Sequence, residues 1–115
     1  MAETDLLVAC LCAQWCGVCS AYADLFRQVG ARFPQVRFVW VDVEDQCDLV
    51  DPIEVDTFPT LLIAAAGRPV FFGAVAPQAG TLERIVREHV GLDRGSAAVL
   101  GADIQSLVER LSALR

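Results

Sequence analysis

The sequence predicts an α/β domain with a four-stranded mixed sheet, a βαβ unit followed by a ββα unit. Three observations predict it. The apolar run at residues 6–13, LLVACLCA, is short and bounded by polar residues, and it gives way at residues 20–33 to apolar side chains recurring at helical spacing. Residues 36–43, VRFVWVDV, are rich in β-branched and aromatic side chains and read as a second strand. Two further apolar runs, 60–65 and 69–72, flank Ala66-Gly67-Arg68, which reads as an antiparallel hairpin. Strands joined through a helix run parallel and hairpin strands antiparallel, so the sheet is mixed.

Taken in order, the unbroken apolarity of residues 6–13 suits a central strand buried on both faces. In the helix that follows, Ala21, Leu25, Val29 and residues 31–33 recur at helical spacing, with Tyr22 and Phe26 four apart on a neighbouring line. Pro34 stops it. Residues 47–53 have room for little more than a helical turn, limited by Pro52. Residues 77–90 read as a helix with Pro77 first, Glu83 facing Arg87, Arg84 facing Glu88, Gly91 as its stop and Gly80 as a weak point inside it. After a connection at residues 92–101, residues 102–114 carry Ile104, Leu107, Val108, Leu111 and Leu114 on one stripe of an amphipathic helix. The whole chain, 1–115, reads as a single domain with its core in residues 6–91.

At 115 residues and 55% apolar composition, the chain can bury one core without help from metals or disulfides. Its formal net charge of -6 repels phosphate backbones and anionic lipid, so neither nucleic acid nor a membrane surface is an expected partner. No apolar run is long enough to span a bilayer. The N-terminus carries Glu3 and Asp5 where an export signal needs basic residues, and residues 7–10, LVAC, resemble a lipoprotein processing site only superficially. A cytoplasmic location is therefore expected. Five cysteines in an unexported chain favour reduced, catalytic or metal-binding thiols over a static disulfide scaffold.

Two of those thiols, Cys16 and Cys19, stand where the strand pattern becomes a helix pattern. A helix beginning near Cys16 places that sulfur against unpaired backbone N–H groups and the positive end of the helix dipole, which stabilise a thiolate. Cys19 lies three residues on, hence on the same helix face, and Gly17 leaves the first turn uncrowded for an approaching polypeptide. The order suits attack by one sulfur, formation of a mixed disulfide and resolution by the other. On the pair alone, two buried structural thiols or half of a zinc site are also open readings, although no second pair at ligand spacing accompanies it and His89 sits in another helix.

Trp15-Cys16-Gly17-Val18-Cys19 resembles the Trp-Cys-Gly-Pro-Cys active site of the thioredoxin family, and Thr57-Phe58-Pro59-Thr60 resembles the segment bearing that family's cis-proline. The resemblance spans residues 6–91. It implies a thioredoxin-like fold and a thiol-disulfide oxidoreductase that reduces protein disulfides, with Cys16 as attacking thiol and Cys19 as resolving thiol. The redox-active Cys16-Cys19 disulfide would serve in place of a cofactor, and no metal is expected. Pro59 would be the cis residue beside the pair, leaving the Phe58 backbone to pair with an extended substrate. Gly73 resembles the glycine that admits substrate backbone on the other side of the groove, and Trp15, Gly17 and Val18 would complete the substrate-binding rim. Implied partners are protein disulfides and an external reductase or low-molecular-weight thiol as electron donor.

The sequence also departs from that family. Its buried aspartate and the lysine on the neighbouring strand correspond here to Cys10 and Trp40, so the usual proton route at the resolving thiol is missing. Deprotonation of Cys19 is left to water, to Cys10 or to a carboxylate from elsewhere in the fold, because Gln14 is an amide. Val18 replaces the motif proline. Cys10 and Cys12 share a strand face and so are not expected to bond to each other; they read as core filler or as extra thiols for a second exchange step or a soft metal. Cys47 reads as an exposed thiol open to a glutathione-type cap, and His89 as a partner for a helix C-terminus. The family's usual first strand and helix are absent from the pattern, and the stripe at residues 102–114 is expected either to cover the bared sheet face or to form a homodimer contact. The alternative to a reductase is a non-catalytic thioredoxin-fold module that binds a peptide or a soft metal.

Overall fold

The central strand β1 (Leu6–Cys12) is buried along its whole length, and its side chains divide between two cores. A computed structural model describes residues 6–13, 17–50, 53, 55, 58–65, 68–90 and 102–113. After β1 come α1 (Gly17–Ala31), β2 (Arg37–Asp42), the single turn α2 (Cys47–Val50), β3 (Thr60–Ala65), β4 (Arg68–Ala74), α3 (Ala79–Val90) and α4 (Ala102–Ser112). The strand order is β2-β1-β3-β4. β1 and β2 run parallel, with Cys10 opposite Trp40 and Cys12 opposite Asp42, while β1–β3 and β3–β4 are antiparallel. This is the expected mixed sheet.

Alternation along β1 explains the two cores. Leu6, Val8, Cys10 and Cys12 face Tyr22, Phe26 and Val29 of α1 and Leu82 and Val86 of α3. Leu7, Ala9 and Leu11 face the opposite way, against Val50 of α2 and Ile104, Leu107, Val108 and Leu111 of α4. A strand covered on both sides must be apolar at every position, which is why LLVACLC shows no alternation.

Several element readings are corrected. In α1 the buried line is Cys19, Tyr22, Phe26 and Val29, while Ala21 is exposed. Its three-four-three spacing keeps one face on the sheet and lets Phe26 pack edge-on against Phe38 and Trp40 at 5.2 and 5.7 Å. α3 begins at Ala79 rather than Pro77, because Gln78 N–H turns back to Ala76 C=O (2.8 Å) and Gln78 C=O accepts the first helical bond, from Leu82 N–H (3.2 Å). Gly80 therefore sits in the first turn. Glu83 pairs with Arg87 at 2.5 Å as expected and also reaches Arg32 at the end of α1, at 2.6 Å. His89 Nδ1 contacts Ile85 C=O (2.8 Å), so it stabilises the last turn of α3 by donating to a carbonyl of its own helix.

The α4 stripe is buried inside the chain, with Leu107, Val108 and Leu111 fully covered. It is the sheet cover. The same side chains are not on the surface, which removes the reason for expecting a homodimer through this helix. Leu114, Ala66 and Gly67 lie outside the described residues, as does the side chain of Cys47.

Candidate active site at the end of β1

Two segments converge at the C-terminal end of β1. β1 delivers Cys12 as its last residue, and α1 starts at Gly17 with Cys19 as its third. The sulfurs of Cys12 and Cys19 are joined in a disulfide whose Cα atoms are 5.8 Å apart, within the usual span for such a bridge. Cys12, expected as core filler or a spare thiol, is thus the bonded partner of Cys19 here, in place of the anticipated Cys16-Cys19 bond. The seven-residue spacing brings a strand end and a first helical turn within reach of each other, but it does not select Cys12 over Cys16 as the partner of Cys19. Ala13 N–H donates to Cys19 Sγ at 3.3 Å, which fixes the helix start against the end of the strand.

The register brings a second pair of segments to the same end. Thr60 at the start of β3 lies opposite Leu11, so Pro59 falls beside Cys12 and the Phe58–Pro59 peptide bond, which is cis, flanks the disulfide. Pro59 is buried and Phe58 is half-buried against the core that holds Cys12 and Cys19. Pro59 C=O accepts from Val75 N–H (3.1 Å), which ties the segment to the end of β4, where Gly73 stands opposite Leu61. A Cβ at Gly73 would make only ordinary contact with Phe71, and one at Gly17 would meet nothing within 4 Å, so both positions present open backbone. Val18 is 44% exposed, the one large apolar side chain in the open among the described residues. Cys16 and Trp15 lie outside the described residues, as do Gln14 and Thr57.

Cys10 and Cys19 differ in what surrounds them. Cys10 is fully buried and unbonded, and burial pushes its thiol up to about 12 from an ordinary 9.0, so it holds its proton at neutral pH. It is not the base that the missing aspartate would have supplied. Cys19 is also covered, but it lies at the wall of an open groove of about 410 Å³ shared with Ser20, Ala23, Trp40 and Asp42. Asp42 is the carboxylate the fold brings in, which its position at the end of a distant strand concealed in the sequence. Its Oδ1 accepts from the N–H groups of Glu44 (2.9 Å) and Asp45 (3.0 Å), which orients the side chain at the strand end. Among the described residues no group of three or more His, Cys, Asp or Glu side chains is arranged to hold a metal ion.

β1 ends in Cys12, α1 carries Cys19 in its first turn, and the cis-proline segment precedes β3 alongside them. The family model for thioredoxin matches residues 1–88. The chain belongs to the thioredoxin family. Thioredoxin-1 of Saccharomyces cerevisiae is 33% identical over 70 residues, 61% of this chain and 68% of that protein. Thioredoxin H2-1 of Oryza sativa subsp. japonica is 33% identical over 67 residues, 58% of this chain and 49% of that protein. The chain thus spans about half the length of the second of these relatives. The crystal structure of Fasciola hepatica thioredoxin superposes with a TM-score of 0.68 at 25% identity, covering 76% of this chain and 83% of that one. The fold is thioredoxin-like, and the family is one of thiol-disulfide oxidoreductases. Within that thioredoxin frame, the positions assigned to the buried aspartate and its lysine partner are Cys10 and Trp40, paired across β1 and β2. Among the described residues no helix is long and apolar enough to cross a membrane.

Proposed function

We propose that this chain reduces protein disulfides by dithiol-disulfide exchange. The observation that carries the reading is that Cys19, the second cysteine of a Trp-Cys-Gly-Val-Cys motif, sits in the first turn of α1 in the same core as Phe58 of the cis Phe58–Pro59 segment and at the wall of an open groove. Cys16 immediately precedes the first helical residue, a position at which a thiolate gains from the helix N-terminus. Its thiolate attacks a substrate disulfide, the substrate leaves one sulfur as a thiolate, and a mixed disulfide with Cys16 results. Cys19 then attacks Cys16 and releases the second substrate thiol, leaving the pair oxidised. An external reductase or a low-molecular-weight thiol restores the dithiol. Val18, Gly17, Phe58, Pro59 and Gly73 are assigned to hold the substrate segment over the sulfur, and Trp15 joins them by its place in the motif. A cytoplasmic, reducing compartment suits such a cycle.

Asp42 takes the proton from Cys19 through water in the shared groove. This is the role left vacant by Cys10, whose buried thiol already holds its proton at neutral pH and so has no site to accept another.

Reduction of insulin disulfides with dithiothreitol as the electron source tests the reading. Wild-type chain accelerates precipitation of the insulin B chain, and Cys16→Ser returns the rate to the uncatalysed level. A Cys16→Ser variant as fast as wild type would sink the proposal in favour of a scaffold that binds peptides without exchange.

A further inference from the structure

We propose that Cys12 is a third redox cysteine that competes with Cys16 for Cys19, so that the oxidised chain stores its disulfide in the buried Cys12–Cys19 bridge and regains Cys16 as a free thiol. The inference rests on the proposed role of Cys16 and adds a step after it.

The bridge itself is the first observation. The Cα atoms of Cys12 and Cys19 lie 5.8 Å apart, and Ala13 N–H, next to Cys12, also donates to Cys19 Sγ at 3.3 Å, so the strand end and the helix start meet at this sulfur. Cys10 shares the strand face with Cys12 and lies in the same core, yet it is unbonded. The face thus offers two thiols, and the one level with the helix start is taken.

Burial is the second observation. Cys12 is 0% and Cys19 1% exposed, so the bridge is shielded from external thiols except where Cys19 meets the groove. A thiol on the same chain can rearrange this bridge without access from solvent, and Cys16 is three residues from Cys19 in the sequence. The exchange is balanced without an outside oxidant. The Cys12 thiolate attacks the Cys19 sulfur of a Cys16–Cys19 disulfide; the Cys12–Cys19 bond forms, the Cys16–Cys19 bond breaks, and the electron pair departs on Cys16. The proton lost by Cys12 passes to water and one is available for Cys16. The reverse reaction reopens the bridge when Cys16 attacks Cys19. In its oxidised form such a chain behaves toward a second substrate as a one-thiol reagent, able to form a mixed disulfide while its resolving cysteine is withheld.

The test is a map of which cysteines are bonded. Full-length protein is oxidised with stoichiometric diamide, quenched in acid, blocked with light N-ethylmaleimide, reduced, and labelled with the heavy reagent, and fragmentation assigns the label at each cysteine. The expected wild-type result is light label on Cys16 and heavy label on Cys12 and Cys19. In Cys12→Ser, and in Cys12→Ala as a second variant should the first fold poorly, the light label on Cys16 is lost because Cys16–Cys19 is then the only bridge. Wild-type protein with light label on Cys12 and heavy label on Cys16 overturns the inference, and it does so without any variant. Failure of the parent reading registers elsewhere, as insulin reduction that survives Cys16→Ser, a rate that the label map does not contain.

Discussion

Cys10 occupies the position where a proton acceptor would serve Cys19, and its chemistry there follows from burial alone. A thiol that ionises near 9.0 when solvated and near 12 in the fold keeps its proton in the native state over a window in which the unfolded chain has lost it. The unfolded state then binds fewer protons, so stability is whole below about pH 9 and falls through pH 12, by up to about 1.4 kcal/mol per pH unit. Burial, with a smaller contribution from the Cys10 charge, pushes the Tyr22 phenol in the same direction, and the Tyr22 hydroxyl is buried without a hydrogen-bond partner. Urea melts at neutral pH and at about pH 10.5 check this: Cys10→Ala flattens the alkaline loss relative to wild type. Asp42 gives a prediction about rate. Asp42→Asn keeps an oxygen to accept from Glu44 and Asp45 but cannot take a proton, so the thermal midpoint holds while insulin reduction slows by about tenfold to a hundredfold. An unchanged rate removes Asp42 from the proton route.

At the scale of elements, α1 lies close against β2 at Gly30. A Cβ added there would lie 3.1 Å from Cγ of Phe38, against a ring that already packs on Phe26. Gly30→Val therefore costs about 1–3 kcal/mol of overpacking, larger than the helix propensity it recovers. Gly80, in the first turn of α3, faces open space, and Gly80→Ala raises stability by up to about 1 kcal/mol. Opposite shifts of the denaturation midpoint for the two substitutions are expected; equal shifts would contradict the close approach. The same element shows what periodicity leaves open. Ala21, Leu25 and Val29 satisfy helical spacing as well as Tyr22, Phe26 and Val29 do, and periodicity cannot rank two adjacent lines. The sheet ranks them, because the aromatic line fills the space above Phe38 and Trp40.

Across the whole molecule, the second sheet face depends on α4. Leu107 and Leu111 are fully buried against the Leu7, Leu11 and Leu62 layer, so Leu107→Ala should lower the unfolding free energy by about 2–5 kcal/mol. Removal of residues 96–115 should bare that layer, with binding of a hydrophobic dye and loss of a cooperative urea transition as the readouts. A truncated chain that melts like the parent would show that the helix is dispensable. The sequence by itself determined the elements, the mixed sheet and the position of the Cys16 and Cys19 motif, because apolar periodicity and turn residues are local and survive in one dimension. It also placed the apolar stripe of α4, though not its target. Only the tertiary structure decided that the stripe closes on its own sheet, that Asp42 shares a groove with Cys19, and that Cys12 is bonded to Cys19. Each of these is a meeting between a strand and another element, set by β1–β2 register and by the loop that turns the chain into α1, and no residue spacing encodes which sulfur or carboxylate a strand end will find opposite it.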